Sequence, residues 1–219
     1  MAKKQLKNTI SEREKSGELF PEKSNKILLR GILQEDFILS RFAWGKKFYK
    51  STLIVDRLSD NKDFVPIIAS GNCNRRFYKG DEVEIKGYID SEHYTGTDGK
   101  RHMKVFVVAT EIINAEGEHL NEVFLHGFIP PKTPTLRETP SGRTISDINI
   151  ITNMSEGKVA YVPCIAWEDN AVMASNLKKG NEVIAHGRFQ SRKYLKKIEG
   201  YEELRTTYEI SIFEFDWIR

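Results

Sequence analysis

Apolar and polar residues alternate in short runs along most of this chain, and the runs are bounded by Gly, Pro, Asn and Asp. Alternation with a period of two places successive side chains on opposite faces of a strand. On that basis ILLRGIL, KFYKSTLIV, DFVPIIAS, EVEIKGYI and KVFVVATEII are predicted strands, followed by VFLHGFI, TISDINIIT, AYVPCIAW, EVIAHGRF and TTYEISIFEF. One segment breaks the rhythm. EDNAVMASNLKKG spaces its apolar residues for one helical face, with Asp169 or Asn170 as the expected N-cap and Gly180 as the stop. Residues 1–24 carry many charges and few large apolar side chains, so they are expected to form a flexible arm.

The runs also recur. NKILLRG at 25–31 returns as NEVFLHG at 121–127, and Val65-Pro66 returns as Val162-Pro163. Lys79-Gly80-Asp81-Glu82-Val83 returns as Lys179-Gly180-Asn181-Glu182-Val183, and Gly87 and Tyr94 return as Gly187 and Tyr194. A spacing held near about a hundred residues, with slow drift, means one domain repeated with small loop insertions. The boundaries this implies are 25–120 and 121–219, joined by a short polar junction around Ala115 to Leu120 that keeps the copies adjacent. Five strands with a short helix between the third and fourth is the element order of the OB-fold, a five-stranded Greek-key barrel. The expected fold class is therefore all-β, two tandem OB-folds. Gly31, Gly87, Gly127 and Gly187 fall inside strands, where glycine marks a bulge or the bend that closes a sheet.

Composition narrows the function. The chain has no apolar run long enough to cross a bilayer, and its first residues lack the features of an export signal, so a cytoplasmic protein is expected. Cys73 and Cys164, in unrelated settings, predict neither a disulfide nor a zinc site. His93, His102, His119, His126 and His186 have no partners at ligand spacing, and no Gly-rich phosphate loop follows a strand. No enzyme, metal or cofactor is expected. Net charge is only +3, so any case for a nucleic-acid partner rests on local clustering.

Such clustering exists in the second copy. Alternation in AYVPCIAW puts Tyr161, Pro163, Ile165 and Trp167 on one face. In GRFQSRKYLKK it groups Arg188, Gln190, Arg192 and Tyr194, turns Phe189 inward, and leaves Lys193 among ten residues free of acids. A basic, aromatic ridge suits a single nucleic-acid strand, whose bases stack on rings while its phosphates meet cations. The competing reading is that these rings pack the barrel or a subunit contact, and Trp217 is assigned to core or interface. In the first copy Tyr88 and Tyr94 are spaced as Arg188 and Tyr194, but Asp90 and Glu92 replace Gln190 and Arg192, and Ser70 replaces Trp167. Phe64 remains, and RFAWGKKFYK, read as a loop, offers Arg41, Trp44, Lys46 and Lys47 instead. The second copy is expected to bind more strongly.

The succession NEVFLHGFI, RETPSGRTISDINI, YVPCIAW and LKKGNEVIAHGRFQSRKY resembles the bacterial single-stranded DNA-binding protein family over nearly all of 121–217. The first copy resembles it more faintly. The resemblance implies that Tyr161, Trp167 and Tyr194 stack on bases and that Arg137 and Arg192 lie in basic positions beside the groove, with Arg143 of the same segment a further candidate. It implies sequence-tolerant binding of single-stranded DNA in replication, recombination or repair, and a homodimer that brings the barrels to four. Glu168 and Asp169 depart from the family's usual Gly-Lys. The ending FEFDWIR lacks the family's acidic tail, so recruitment of replication or repair proteins by that route is not expected. A primosome-type adaptor that chiefly holds protein partners is the alternative, and an RNA preference a third.

Overall fold

The computed structural model describes residues 25–218 except 44, 72, 74–76, 97–98, 133, 154–157 and 199–200. The expectations for the arm and for Trp44 fall outside these residues. In chain order the elements are β1 (Asn25–Leu33), β2 (Ile38–Ala43), β3 (Lys46–Asp56), β4 (Lys62–Ser70), β5 (Glu82–Thr95) and β6 (Arg101–Asn114). Then follow β7 (Leu120–Phe128), β8 (Thr135–Glu138), β9 (Thr144–Asn153), β10 (Val159–Trp167), α1 (Asp169–Ser175), β11 (Glu182–Ile198) and β12 (Tyr201–Ile218).

The strands form one sheet in the order β2-β3-β4-β6-β5-β1-β7-β11-β12-β10-β9-β8, and the extra pairings β1–β3 and β7–β9 curl each half into a barrel. The result is a tandem of two OB-type barrels. Closure requires the curling strands to approach closely. A Cβ on Gly31 would lie 2.2 Å from the Ile54 carbonyl oxygen, and one on Gly127 would lie 2.2 Å from that of Ile151. Glycine is the residue that fits there. Gly87 and Gly187 each follow a register shift, in β5 and β11, so the expected bulges occur at equivalent places in both barrels.

The repeated opening pattern now has a physical reason. The Asn121 side chain donates from Nδ2 to the Phe189 carbonyl (2.8 Å) and accepts at Oδ1 from the Phe189 N–H (2.7 Å). Asn25 makes the same pair of bonds to the carbonyl (2.7 Å) and N–H (2.9 Å) of Ile89. One amide thus satisfies both backbone groups of a residue just past the bulge, where the ladder to the neighbouring strand has ended.

β1 and β7 pair antiparallel with Ile27 opposite Val123, and those two residues are themselves equivalents in the repeat. The barrels are accordingly related by an approximate two-fold axis through that pair. Their interiors fuse: Leu29, Ile67 and Ile85 of the first and Leu125, Ile150 and Phe189 of the second belong to one buried cluster.

Two expectations need correcting. Each barrel carries an additional short strand, β2 or β8, that makes a hairpin with the next; residues 41–43 of RFAWGKKFYK lie in β2 and residues 46–50 in β3, so these parts of the run are strand and not loop. Its apolar residues alternate poorly because most of the hairpin stands clear of the core, which removes the periodic signal. The helix occurs where EDNAVMASNLKKG places it, in the second barrel. Its cap is Glu168, at φ 51°, rather than Asp169 or Asn170. Glu168 makes no side-chain cap bond because its carboxylate is held by Arg143.

Candidate nucleic-acid interface

Cross-strand neighbours share a face, so the register assembles the site. Ile165 lies opposite Ser211 and Asp147, Trp167 opposite Ile145, and Ile145 opposite Arg137. On the other side of β12, Ser211, Glu209, Thr207 and Arg205 lie opposite Arg188, Gln190, Arg192 and Tyr194. One continuous face across β8, β9, β10, β12 and β11 therefore carries Arg137, Trp167, Tyr161, Arg188, Arg192 and Tyr194. Phe189 turns the other way and is fully buried.

The three aromatic candidates remain open to water. Tyr161 is 40% exposed and Tyr194 39%. Trp167 is half-buried, fixed by an indole N–H bond to Ser211 Oγ (3.0 Å) and covered on one side by the Arg143 guanidinium, 4.4 Å from its ring. A ring held in this way is oriented before any ligand arrives. Trp217, assigned from sequence to core or interface, is 37% exposed and is not in the core of the single chain.

The cations are less available than the sequence suggests. Arg137 pairs with Asp147, Arg143 with Glu168 (3.1 Å) and Arg192 with Glu209 (3.4 Å). Arg188 reaches Asp63 of the first barrel (3.5 Å) and Gln190 (3.1 Å). Burial lowers the Arg188 pKa, with the nearby Arg57 charge acting in the same sense and Asp63 opposing. The acid-free stretch in β11 is acid-free only along the chain; the carboxylates come from adjacent strands. Period two in TTYEISIFEF, which sets Thr207, Glu209 and Ser211 against the buried Ile210 and Ile212, is the signal that could have placed Glu209 and Ser211 on this face. Lys193 is exposed, with its Nζ 5.9 Å from the Phe64 ring.

The first barrel offers the equivalent face in altered form. Tyr88 and Phe64 are half-buried, and Tyr94 is exposed and stacks with His102 at 5.4 Å. Asp90 is half-buried, and burial pushes its carboxyl pKa up. Arg41 pairs with Glu92 (3.2 Å) and lies over the Phe48 and Phe106 rings. Lys46 and Lys47 are exposed on the β2–β3 hairpin, Lys47 beside the Phe42 ring.

The barrels also clasp one another through their long β5–β6 and β11–β12 hairpins. The Phe64 N–H donates to Ser191 Oγ (2.9 Å) and, in the symmetric contact, the Tyr161 N–H donates to Ser91 Oγ (3.1 Å). On the Ser91 side the His93 and Tyr161 rings meet edge to face, their centroids 6.5 Å apart; the Ser191 side is reinforced by a buried carboxylate. There Asp63, 1% exposed, accepts from the Arg57 guanidinium and the Ser191 N–H (3.0 Å), and Arg188 closes on it. Among the described residues, no group of three or more His, Cys, Asp or Glu could hold a metal ion, and no helix is long and apolar enough to cross a membrane.

Residues 120–216 match the model of the single-strand binding protein family, whose members are binding proteins and not enzymes. The chain is 24% identical over 152 residues to a single-stranded DNA-binding protein of Deinococcus radiodurans, across 59% of this chain and 50% of that one. It is 33% identical over 82 residues to single-stranded DNA-binding protein 2 of Listeria innocua, across 34% of this chain and 51% of that one. The chain thus spans about half the length of these curated relatives. The crystal structure of the wild-type single-stranded DNA-binding protein from Thermus aquaticus superposes with a TM-score of 0.72 at 20% identity, covering 91% of this chain and 95% of that one, which establishes a common fold.

Proposed function

We propose that this chain, akin to the bacterial single-stranded DNA-binding proteins through its second barrel, binds single-stranded DNA with little regard to sequence. The observation that carries the reading is the single face on which Tyr161, Trp167 and Tyr194 stay open to solvent beside Arg137, Arg143 and Arg192. Rings of this kind stack on any base, since every base has a flat surface, and the arginines meet the backbone between them. Their ion pairs are mostly exposed and so of small net worth, about 0–1 kcal/mol each, which lets a phosphate displace the carboxylate. The second barrel takes the larger share, because the first presents Asp90 and Glu92 on the equivalent strand. We place the activity in replication, recombination or repair, and the assembly as a homodimer of four barrels, to be checked by light scattering.

Titration of intrinsic tryptophan emission with poly-dT at low salt tests the reading. Quenching that saturates supports it; an unchanged signal together with no retention on a filter overturns it. Competition by an RNA oligonucleotide of equal length fixes the sugar preference. Replacing Trp167 and Tyr194 together with Ala is expected to abolish strand binding, whereas unaltered capture of protein partners with no strand binding in either form would favour an adaptor.

A further inference from the structure

A cleft of about 510 Å³ opens between the two barrels, lined by Tyr94, His102 and Met103 from the first and by Pro163, Tyr194 and Tyr208 from the second. Its volume falls within the roughly 300–1,000 Å³ typical of sites that enclose small ligands. Pro163 stands between Tyr161 and Ile165 on β10, and Tyr194 ends the row begun by Arg188 on β11, so the cleft continues the open face of the second barrel. On its far side Tyr94 and His102 lie on the first barrel's β5–β6 hairpin, their rings nearly parallel at 26°. The walls are therefore flat rings supplied by both halves of the repeat. The margin holds Thr206, Thr207 and Arg205, whose guanidinium is paired with Glu203 at 2.7 Å.

We infer that this cleft receives an unstacked base of the bound strand at the point where the strand passes from one barrel to the other. The inference rests on the binding reading above and goes beyond it in joining the two faces into one path. Tyr194 meets the base from the second barrel, and the Tyr94–His102 pair receives it from the first. The hydroxyls of Thr206 and Thr207 can bond to base edges or sugar, and Arg205 exchanges Glu203 for a phosphate. A strand long enough to enter both barrels gains this contact; a strand that fills one barrel does not.

The test compares two oligo-dT lengths on the full chain, about 8 and about 30 nucleotides, since an OB-fold occupies about 4–16. In the double variant Tyr94→Ala/His102→Ala, whose fold is checked by circular dichroism, the long strand is expected to lose at least tenfold in affinity while the short one is unchanged. Equal affinity of variant and wild type for the long strand overturns the inference and leaves strand binding by the second barrel intact. Equal losses at both lengths overturn it as well, by showing a general weakening. Failure of wild type to bind either length removes the binding reading itself. If the variant does not fold, photocrosslinking of wild type to a long oligonucleotide carrying 5-iododeoxyuridine decides: adducts on Tyr94 or His102 uphold the inference, and adducts confined to Tyr161, Trp167 and Tyr194 overturn it.

Discussion

At the scale of single residues, the site depends on rings that are oriented in advance by polar anchors. Trp167 has both kinds of support, the Ser211 hydroxyl at its indole N–H and the Arg143 cation over its face. In single-strand binders, this family among them, removal of a stacking ring costs about 1–3 kcal/mol per base. Trp167→Ala is therefore expected to weaken poly-dT binding roughly 5- to 150-fold, and Trp167→Phe, which keeps a ring but loses the Ser211 bond, to weaken it less. Filter binding at fixed salt measures both. Asp90 is held the other way. Burial raises its folded-state pKa above 3.8, so the folded chain binds that proton more tightly than the unfolded chain. Stability contributed by this group is consequently present at low pH and falls as pH rises through the interval just above 3.8. Asp90→Asn retains the oxygen that accepts from the Ser91 N–H and removes the charge. The variant should gain on wild type in urea melts as pH climbs from about 3 to 7, levelling off once the carboxyl has ionised, whereas parallel stability curves would contradict this account. It should also strengthen binding on the first barrel's face. Parity along each strand was enough to orient Tyr161, Trp167, Arg192 and Phe189 from sequence. Which arginine each of Asp147, Glu209 and Asp63 meets was not legible: the first two reach theirs across a register that one strand does not encode, and Asp63 meets Arg188 across the contact between the barrels.

At the scale of elements, alternation located five strands of each barrel, and glycine located the bulges. It missed β2 and β8, whose side chains are exposed on both faces and so carry no period. It also stopped β5 and β11 short, since both run on past the core into the hairpins that clasp the opposite barrel. The Asn at each copy's start ties the opening strand to the strand that follows the bulge. Asn121→Ala removes both bonds and leaves the Phe189 N–H and carbonyl without partners in a part-buried place. Leaving such groups unsatisfied costs about 1–3 kcal/mol, so thermal melting should shift down measurably, and Asn25→Ala should do the same from the first barrel. A melting temperature equal to that of wild type in both variants would mean that the repeated Asn has no structural part.

For the whole molecule, charge and symmetry decide different things. Overall charge is near balance, and the cations of the face are already partnered, so under the proposed function phosphates must displace carboxylates along the groove. Affinity should still fall linearly with the logarithm of salt, by about 0.7 decade per decade of salt for each phosphate neutralised on a single strand. A flat salt dependence in the same filter assay would rule out backbone pairing. The clasp between barrels rests on Asp63. Asp63→Asn breaks the buried pairing with Arg57 and Arg188, a change expected to cost toward the lower end of about 3–5 kcal/mol, because both arginines keep partial access to water. Chemical denaturation should show that loss, and long oligonucleotides should weaken more than short ones if the clasp sets the path between barrels.

That clasp is lopsided: the position equivalent to Asp63 in the second copy is Ala160, fully buried. Two identical subunits facing each other across a dyad cannot arrange this, since any change made once appears twice and must suit itself. Fusion of the copies into one polypeptide lifts the constraint, and it keeps the halves together at any dilution. Each half is then at liberty to specialise, one toward gripping its sibling and the other toward gripping the ligand.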